Sequence, residues 1–277
     1  EPTVHTFFHT PTSSWTYVVI GSQTSDTILI DPVLDFDPDS NEISTESADD
    51  LLLFLRQRGL RVTTLLETHA HADHLSSCRY LQSKLEGSPP ICIGEGILEV
   101  RKNFAERYDL KEEGEGGGGG FDRLLKEGDE VPLGDQTSIS VLHLPGHTPD
   151  HLGYLVGNNL FSGDVVFLPD VGSARADFPG GSASQLYTSL SRVLSLPEET
   201  RLYVGHDYPP PTASRTRRVS CFSTVGESRR DNIHLGGGGG FEQFVEWRKR
   251  RDSQLGPPRL LHQSLQVNLR AGRIPYS

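Results

Sequence analysis

The run Thr68-His69-Ala70-His71-Ala72-Asp73-His74 places three imidazoles and one carboxylate within six residues, directly after the apolar stretch Val62 to Leu66. A strand that ends there and turns can aim nitrogen and oxygen donors at one or two points in space. Neutral imidazole and carboxylate suit zinc and iron, and no thiolate is needed. Any one of these histidines, taken singly, reads most simply as a surface residue or a hydrogen-bonded core residue. That plain reading has to hold for all of them together, so a metal site is the expectation.

Such a run limits the fold, because more donors must arrive from elsewhere in the chain. Three later stretches do so in the same way. Ile139 to Leu144 alternates as a strand and ends at Pro145-Gly146-His147, Leu160 to Ser162 ends at Gly163-Asp164, and Leu202 to Val204 ends at Gly205-His206. In open α/β sheets, sites gather outside the carboxyl ends of strands. The glycine before Asp164 is expected to let the backbone come close to an ion. Trp15 to Ile20 and Thr27 to Ile30 read as a hairpin, Ile91 to Ile93 as a short strand, and Leu152 to Val156 as the partner of Leu160 to Ser162. Helical patterns cover Ser44 to Arg58 (capped at Ser44 or Thr45, stopped at Gly59), Asp73 to Leu85, Ile97 to Tyr108, Ser184 to Leu196 and Phe241 to Leu255. Interleaved strands and helices define an α/β class with at least two layers.

A net charge of -11 over 277 residues argues against nucleic acid as a partner. No apolar run approaches the roughly 18 residues of a membrane helix, and no secretion signal is visible. The three cysteines, Cys78, Cys92 and Cys221, form no CxxC pair. A reducing compartment, cytoplasmic or mitochondrial matrix, is therefore expected, with Cys78 as a packing residue. Two glycine runs, Gly116 to Gly120 and Gly236 to Gly240, lack the Lys and Ser or Thr of a phosphate loop. They read as flexible surface loops, at 114–120 and 236–240, within a single domain spanning 1–277.

The ordered set THxHxDH, PGHT, GD and GH, with Asp31 in Ile30-Asp31-Pro32, resembles the metallo-β-lactamase superfamily over essentially the whole chain. The resemblance implies an αββα sandwich with a metal site at one edge. Within the superfamily, the chain is similar to the glutathione persulfide dioxygenases of the ethylmalonic-encephalopathy-protein type. The stretches that carry this are Ile28 to Val33, Glu67 to His74, Ser162 to Asp164, Ala174 to Phe178, Leu186 to Leu190, His206 to Tyr208 and Val267 to Gly272. The similarity implies one Fe(2+) per chain, held by His69, His147 and Asp164 as the metal and catalytic residues. Three protein ligands leave positions open for a substrate sulfur and O2. Glutathione persulfide would be oxidised to sulfite and glutathione.

In the dioxygenases, His71, Asp73, His74 and His206 would surround the ligands as hydrogen-bonding groups. In hydrolytic relatives, such as glyoxalase II thioesterases and lactonases, the same four would complete a site for two Zn(2+), with Asp164 bridging the metals. The residues alone leave both uses open, and a non-catalytic metal-binding scaffold is a third. Arg175 is the candidate for a substrate carboxylate, by bidentate hydrogen bonding, with a surface ion pair to Asp177 as its alternative. Tyr208 is the candidate hydroxyl donor near the metal, and Asp207 is expected to support its loop. Asp150-His151 stands where many relatives have small residues, and the Pro- and Arg-rich span Asp207 to Asn232 is expected to reshape the substrate mouth. The expected partner is a small-molecule thiol, with no nucleic acid or membrane and with a homodimer as the candidate assembly.

Overall fold

The computed structural model describes residues 1–110, 118–209, 217–235 and 240–275. Numbered in chain order, the first six-stranded sheet comprises β1 (Thr3–His9), β2 (Ser14–Ile20), β3 (Asp26–Ile30), β6 (Arg61–Leu66), β8 (Ile91–Gly94) and β9 (Arg123–Leu125), side by side. The second runs from β10 (Glu130–Pro132) through β11 (Ser138–His143), β12 (Leu152–Val156), β13 (Asn159–Gly163) and β14 (Arg201–Val204) to β15 (Phe222–Thr224). A small third sheet orders β5 (Glu42–Ser44), β4 (Val33–Asp37) and β7 (Leu75–Ser76). The helices are α1 (Glu46–Gln57), α2 (Cys78–Lys84), α3 (Ile97–Tyr108), α4 (Ala183–Val193), α5 (Val225–Asp231), α6 (Phe241–Asp252) and α7 (Leu261–Asn268).

Side-chain alternation along the strands explains the layers. Tyr17, Val19, Ile28, Ile30 and Leu66 of the first sheet pack with Val141, Tyr154, Phe161 and Tyr203 of the second. Their neighbours Val18, Leu29 and Leu65 face the other way, onto Leu51, Leu52 and Leu55 of α1 and Leu81 of α2. On the far side, Leu160 and Leu202 pack on Leu186 and Leu190 of α4 and Phe244 of α6. Strands buried on both faces are apolar throughout rather than alternating, as Thr27-Ile28-Leu29-Ile30 nearly is. The result is the αββα sandwich that the resemblance implied. Among the described residues, no helix is long and apolar enough to cross a membrane.

The helix expected over Asp73 to Leu85 is shorter. Leu75-Ser76 instead pairs with β4, Ser77 N donates to Pro32 O at 2.8 Å, and α2 begins only at Cys78. These tertiary bonds compete directly with the first helical turn. Helices α4 and α6 likewise end at Val193 and Asp252, short of the expected Leu196 and Leu255. At α1 the N-cap is Thr45, but its hydroxyl donates to Asp49 Oδ2 at 2.7 Å instead of capping the backbone. The expected loops at 114–120 and 236–240 fall mostly outside the described residues. Gly119 and Gly120 are described, and both are tightly packed. A Cβ on Gly119, whose φ is +67°, would meet the Arg101 side chain and Leu269 O, and Gly120 O accepts from Arg79 at 2.5 Å.

Candidate metal centre

The carboxyl ends of β6, β11, β13 and β14 converge at one edge of the sandwich. They bring the expected residues into two donor groups, each with ligand atoms within 4.8 Å of one another: His69, His147 and Asp164 in one, and His71, Asp73, His74 and His206 in the other. Asp164 lies against both, since its Oδ2 is 3.8 Å from the Nε2 of His69 and of His147 and 3.4 Å from that of His206. Two glycines make this approach feasible. A Cβ on Gly205 would lie 2.3 Å from Asp164 Oδ1. Gly163 has φ +49°, and its Cβ would fall 2.8 Å from both His151 Nε2 and Thr68 Oγ1. Gly163 therefore serves packing within the protein; the sequence had suggested room for an ion.

Hydrogen bonding sets the tautomers of the first group. His147 Nδ1 lies 2.8 Å from Arg175 O, which can only accept, so Nδ1 carries the proton and Nε2 keeps its lone pair. Thr68 Oγ1 donates to Asp31 Oδ2 at 2.8 Å, so it accepts from His69 Nδ1 at 2.9 Å, and His69 Nε2 is left with a lone pair in turn. Burial pushes the pKa of His69 well down. Asp31 also accepts Thr68 N–H at 2.7 Å from a backbone of φ +51°, a costly conformation for a residue with a Cβ. Thr16 Oγ1, donating to Asp31 O, and Leu66 O, accepting Asp31 N–H, hold it there.

The second group is paired differently. Asp73 Oδ2 lies 3.1 Å from His206 Nε2, and Asp73 Oδ1 lies 3.6 Å from His74 Nδ1. Ser14 Oγ is within 3.3 Å of His74 Nδ1 and 3.4 Å of His206 Nδ1. His71 Nε2 sits 3.0 Å from Asp31 Oδ1 and 3.5 Å from Glu67 Oε2. Burial alone would discharge His71, but these two carboxylates outweigh it and raise its pKa. His74 is brought down to about 4, first by burial and then by the charge of His71.

Three further residues hold the motif. Asn268, on α7, donates through Nδ2 to His71 O and His74 O and accepts Ser76 N–H at Oδ1, each at 2.8 Å. Asp150 Oδ2 accepts Ala70 N–H at 2.7 Å, and His151 Nε2 accepts Asp164 N–H at 3.0 Å. Sequence reasoning marked Asp150-His151 as a departure and Val267 to Gly272 as a similar stretch, without giving either a role. Their adjacency to PGHT was the available signal for the first pair. For Asn268, which sits 194 positions after His74, there was none.

Several buried atoms of the centre, His69 Nε2, both ring nitrogens of His71, His74 Nε2, His206 Nε2 and Asp164 Oδ1, have no hydrogen-bond partner. A buried polar atom left unpaired costs about 1–3 kcal/mol. Convergent imidazole and carboxylate atoms of this kind fit a divalent transition metal.

A cavity of about 450 Å³, within the usual range for small-molecule sites, opens over His147, Asp164 and Asp73. Phe167, Val171 and Ala174 form its apolar wall, with Arg175, Tyr208, His234, Arg248, Arg251 and Arg259 around it. Arg175 reaches this wall, but its guanidinium is already engaged. It donates to both Asp177 oxygens at 2.5 and 2.6 Å and to Gly256 O at 2.9 Å. Tyr208 stacks parallel to His206 with ring centroids 5.6 Å apart and meets Phe167 edge-on. The residue is 46% exposed, but partial desolvation, reinforced by Asp73 and Asp164, raises its pKa, so its hydroxyl stays protonated and can donate. Asp207, fully buried, is clamped by both terminal nitrogens of Arg217 at 2.6 and 2.7 Å.

The family model described as the metallo-beta-lactamase superfamily matches residues 9–206, and the chain belongs to that superfamily. It is 42% identical to a probable metallo-hydrolase of Burkholderia pseudomallei, covering 99% of this chain and 94% of the relative. Identity to Glyoxylase B2 of Dictyostelium discoideum is 38%, over 93% of this chain and 87% of the relative. Among solved structures, ETHE1 from Myxococcus xanthus superimposes with a TM-score of 0.75 at 29% identity, covering 98% of this chain and all of that one.

Proposed function

We propose that this chain is an iron-dependent dioxygenase that oxidises glutathione persulfide to sulfite and glutathione. The observation that carries the proposal is the contrast in pairing between the two donor groups. His69 and His147 have their outer nitrogens tied to protein oxygens and their inner lone pairs turned towards Asp164. Asp73, in the other group, stands inside it, 3.1 Å from His206 Nε2 and 3.6 Å from His74 Nδ1. One Fe(2+) on His69, His147 and Asp164 follows, and the likeness to ETHE1 supports it. Bound iron would supply O2 activation and a position for the terminal sulfur.

The reaction takes one persulfide, one O2 and one water to one glutathione and one sulfite. The sulfane sulfur loses four electrons, O2 accepts them, and the S–S bond breaks with the thiol as leaving group. The chain's own residues position the reactants. The carbonyl of Arg175 orients His147, Phe167 and Val171 keep bulk water from the sulfur, and Tyr208 offers its hydroxyl over the centre. Arg175, fixed and neutralised by Asp177, shapes the wall.

A dinuclear zinc hydrolase acting on a glutathione thioester or a lactone is the second reading. It is favoured by the unpartnered Nε2 of His74 and by the presence of all seven donors. The test is to load the protein anaerobically with Fe(2+), add glutathione persulfide, and follow oxygen and sulfite. The dioxygenase consumes one O2 per sulfite. Iron-loaded protein that consumes no oxygen, while the zinc-loaded protein cleaves S-lactoylglutathione, overturns it.

A further inference from the structure

The cavity is floored by Asp73 and Asp164, yet its far wall is cationic. Of its four arginines, Arg175 is neutralised by Asp177, and Arg248, deeply buried on α6, by Asp252 at 2.5 Å. Arg248 Nε is left without a hydrogen-bond partner. Among the described residues, Arg251 and Arg259 form no close ion pair, although Arg259 lies near enough to Asp37 to lower the pKa of that carboxyl, and both line the cavity. Beside them is His234, the one histidine of this wall that belongs to neither donor group.

The environment of His234 fixes what it can offer. Its Nδ1 accepts Ser173 N–H at 2.8 Å and lies 3.1 Å from Ser173 Oγ. A ring nitrogen that accepts a backbone N–H cannot carry a proton, so the proton of the neutral ring is on Nε2. Burial, with the nearby charges of Arg248 and Arg251, lowers the pKa of His234 to about 4, so the ring stays neutral at working pH. Trp247, 4.3 Å away, packs against it and limits its rotation. No described group accepts from Nε2–H.

We propose that His234, Arg251 and Arg259 form a carboxylate-recognition subsite, in which the Nε2–H of His234 is a fixed neutral donor and the two arginines supply the charge. The subsite sets the substrate class as thiol derivatives carrying a carboxylate remote from the reacting sulfur. It differs from the expectation for Arg175, whose donors are occupied. The proposal rests on the glutathione-type substrate of the preceding section, and both readings given there share that moiety.

The pair His234→Asn and His234→Gln separates donation from support. Asn can still accept from Ser173 but has no group at the Nε2 position. Gln restores an N–H there. With metal-loaded protein and whichever glutathione substrate it turns over, H234N is expected to raise KM about tenfold with kcat within about twofold. H234Q should recover most of that loss, and R251Q should raise KM by a similar factor. Glutathione diethyl ester, which lacks both carboxylate charges, should compete poorly against wild type and no worse against R251Q. Equal KM values for wild type, H234N and R251Q would overturn the subsite and leave the assigned activity standing. Titration calorimetry with glutathione covers the remaining case, since a protein that turns over neither substrate and does not bind glutathione defeats both proposals.

Discussion

The two donor groups meet at Asp164 and share one end of the sandwich, yet they differ in where their charged partners stand. His69 and His147 are oriented from outside, through Thr68, Asp31 and the carbonyl of Arg175, so their inward nitrogens are left for a ligand. In the other group the charged partners are inside, with Asp73 facing His206 and His71 held by Asp31 and Glu67. The difference teaches that counting donors does not count metals. What a donor's other contacts leave available decides whether it binds an ion or balances a neighbour.

The comparison breaks most visibly at Asp164 and His147. Replacing either by Ala should abolish iron retention and lower turnover by roughly 10³-fold or more, several kcal/mol of transition-state stabilisation, while circular dichroism stays native. Asp73→Asn sharpens the contrast. If Asp73 only orients His206 and His74, turnover falls about 10–100-fold and iron content persists, the size expected for a residue acting through a ligand. A loss as large as that of Asp164→Ala, measured in parallel, would make Asp73 a ligand and favour the two-metal hydrolase.

Asn268→Ala leaves two carbonyls and one N–H of the histidine run unpaired. Iron affinity should weaken about tenfold, and stability should drop by about 1–3 kcal/mol, read by chelator competition and thermal melting. Asn268→Asp should fail in the same direction, because a carboxylate cannot donate to the His71 and His74 carbonyls.

The smallest effect is a pH dependence. His74 and His234 have pKa values lowered to about 4 in the folded chain from an ordinary 6.5. Between those values the unfolded chain binds the protons and the folded chain does not, so folding stability rises with pH. It is fully present above about 6.5 and is lost as pH falls towards 4. Buried His74 contributes at most about 3 kcal/mol and the partly exposed His234 less. The raised pKa values of His71 and His206 act in the opposite sense, so the effect is read by difference: between pH 7 and pH 5 metal-free His74→Asn should lose less melting temperature than wild type, and equal losses would show that the His74 ring is not held neutral.

Much of this was legible in the sequence where local pattern and global fold agree. Each of His69, His147, Asp164 and His206 follows an apolar run that the structure shows as a strand, and α3 spans the expected Ile97 to Tyr108. Legibility failed where distant bonds override local preference. The segment after His74 has helical periodicity, but Pro32, Leu34 and Asn268 take its backbone groups. The left-handed backbone of Asp31 and the Asn268 clamp are likewise tertiary facts with no periodic signature. For Arg175 the sequence offered two readings, and the structure shows the alternative one, the ion pair with Asp177.

Metal stoichiometry tests the central claim most directly. Protein stripped of metal and titrated anaerobically with Fe(2+) should bind one equivalent per chain, lost in H147A and retained in D73N. Two tightly bound equivalents, with the second lost in D73N, would contradict the assignment of one group to the metal and the other to its support.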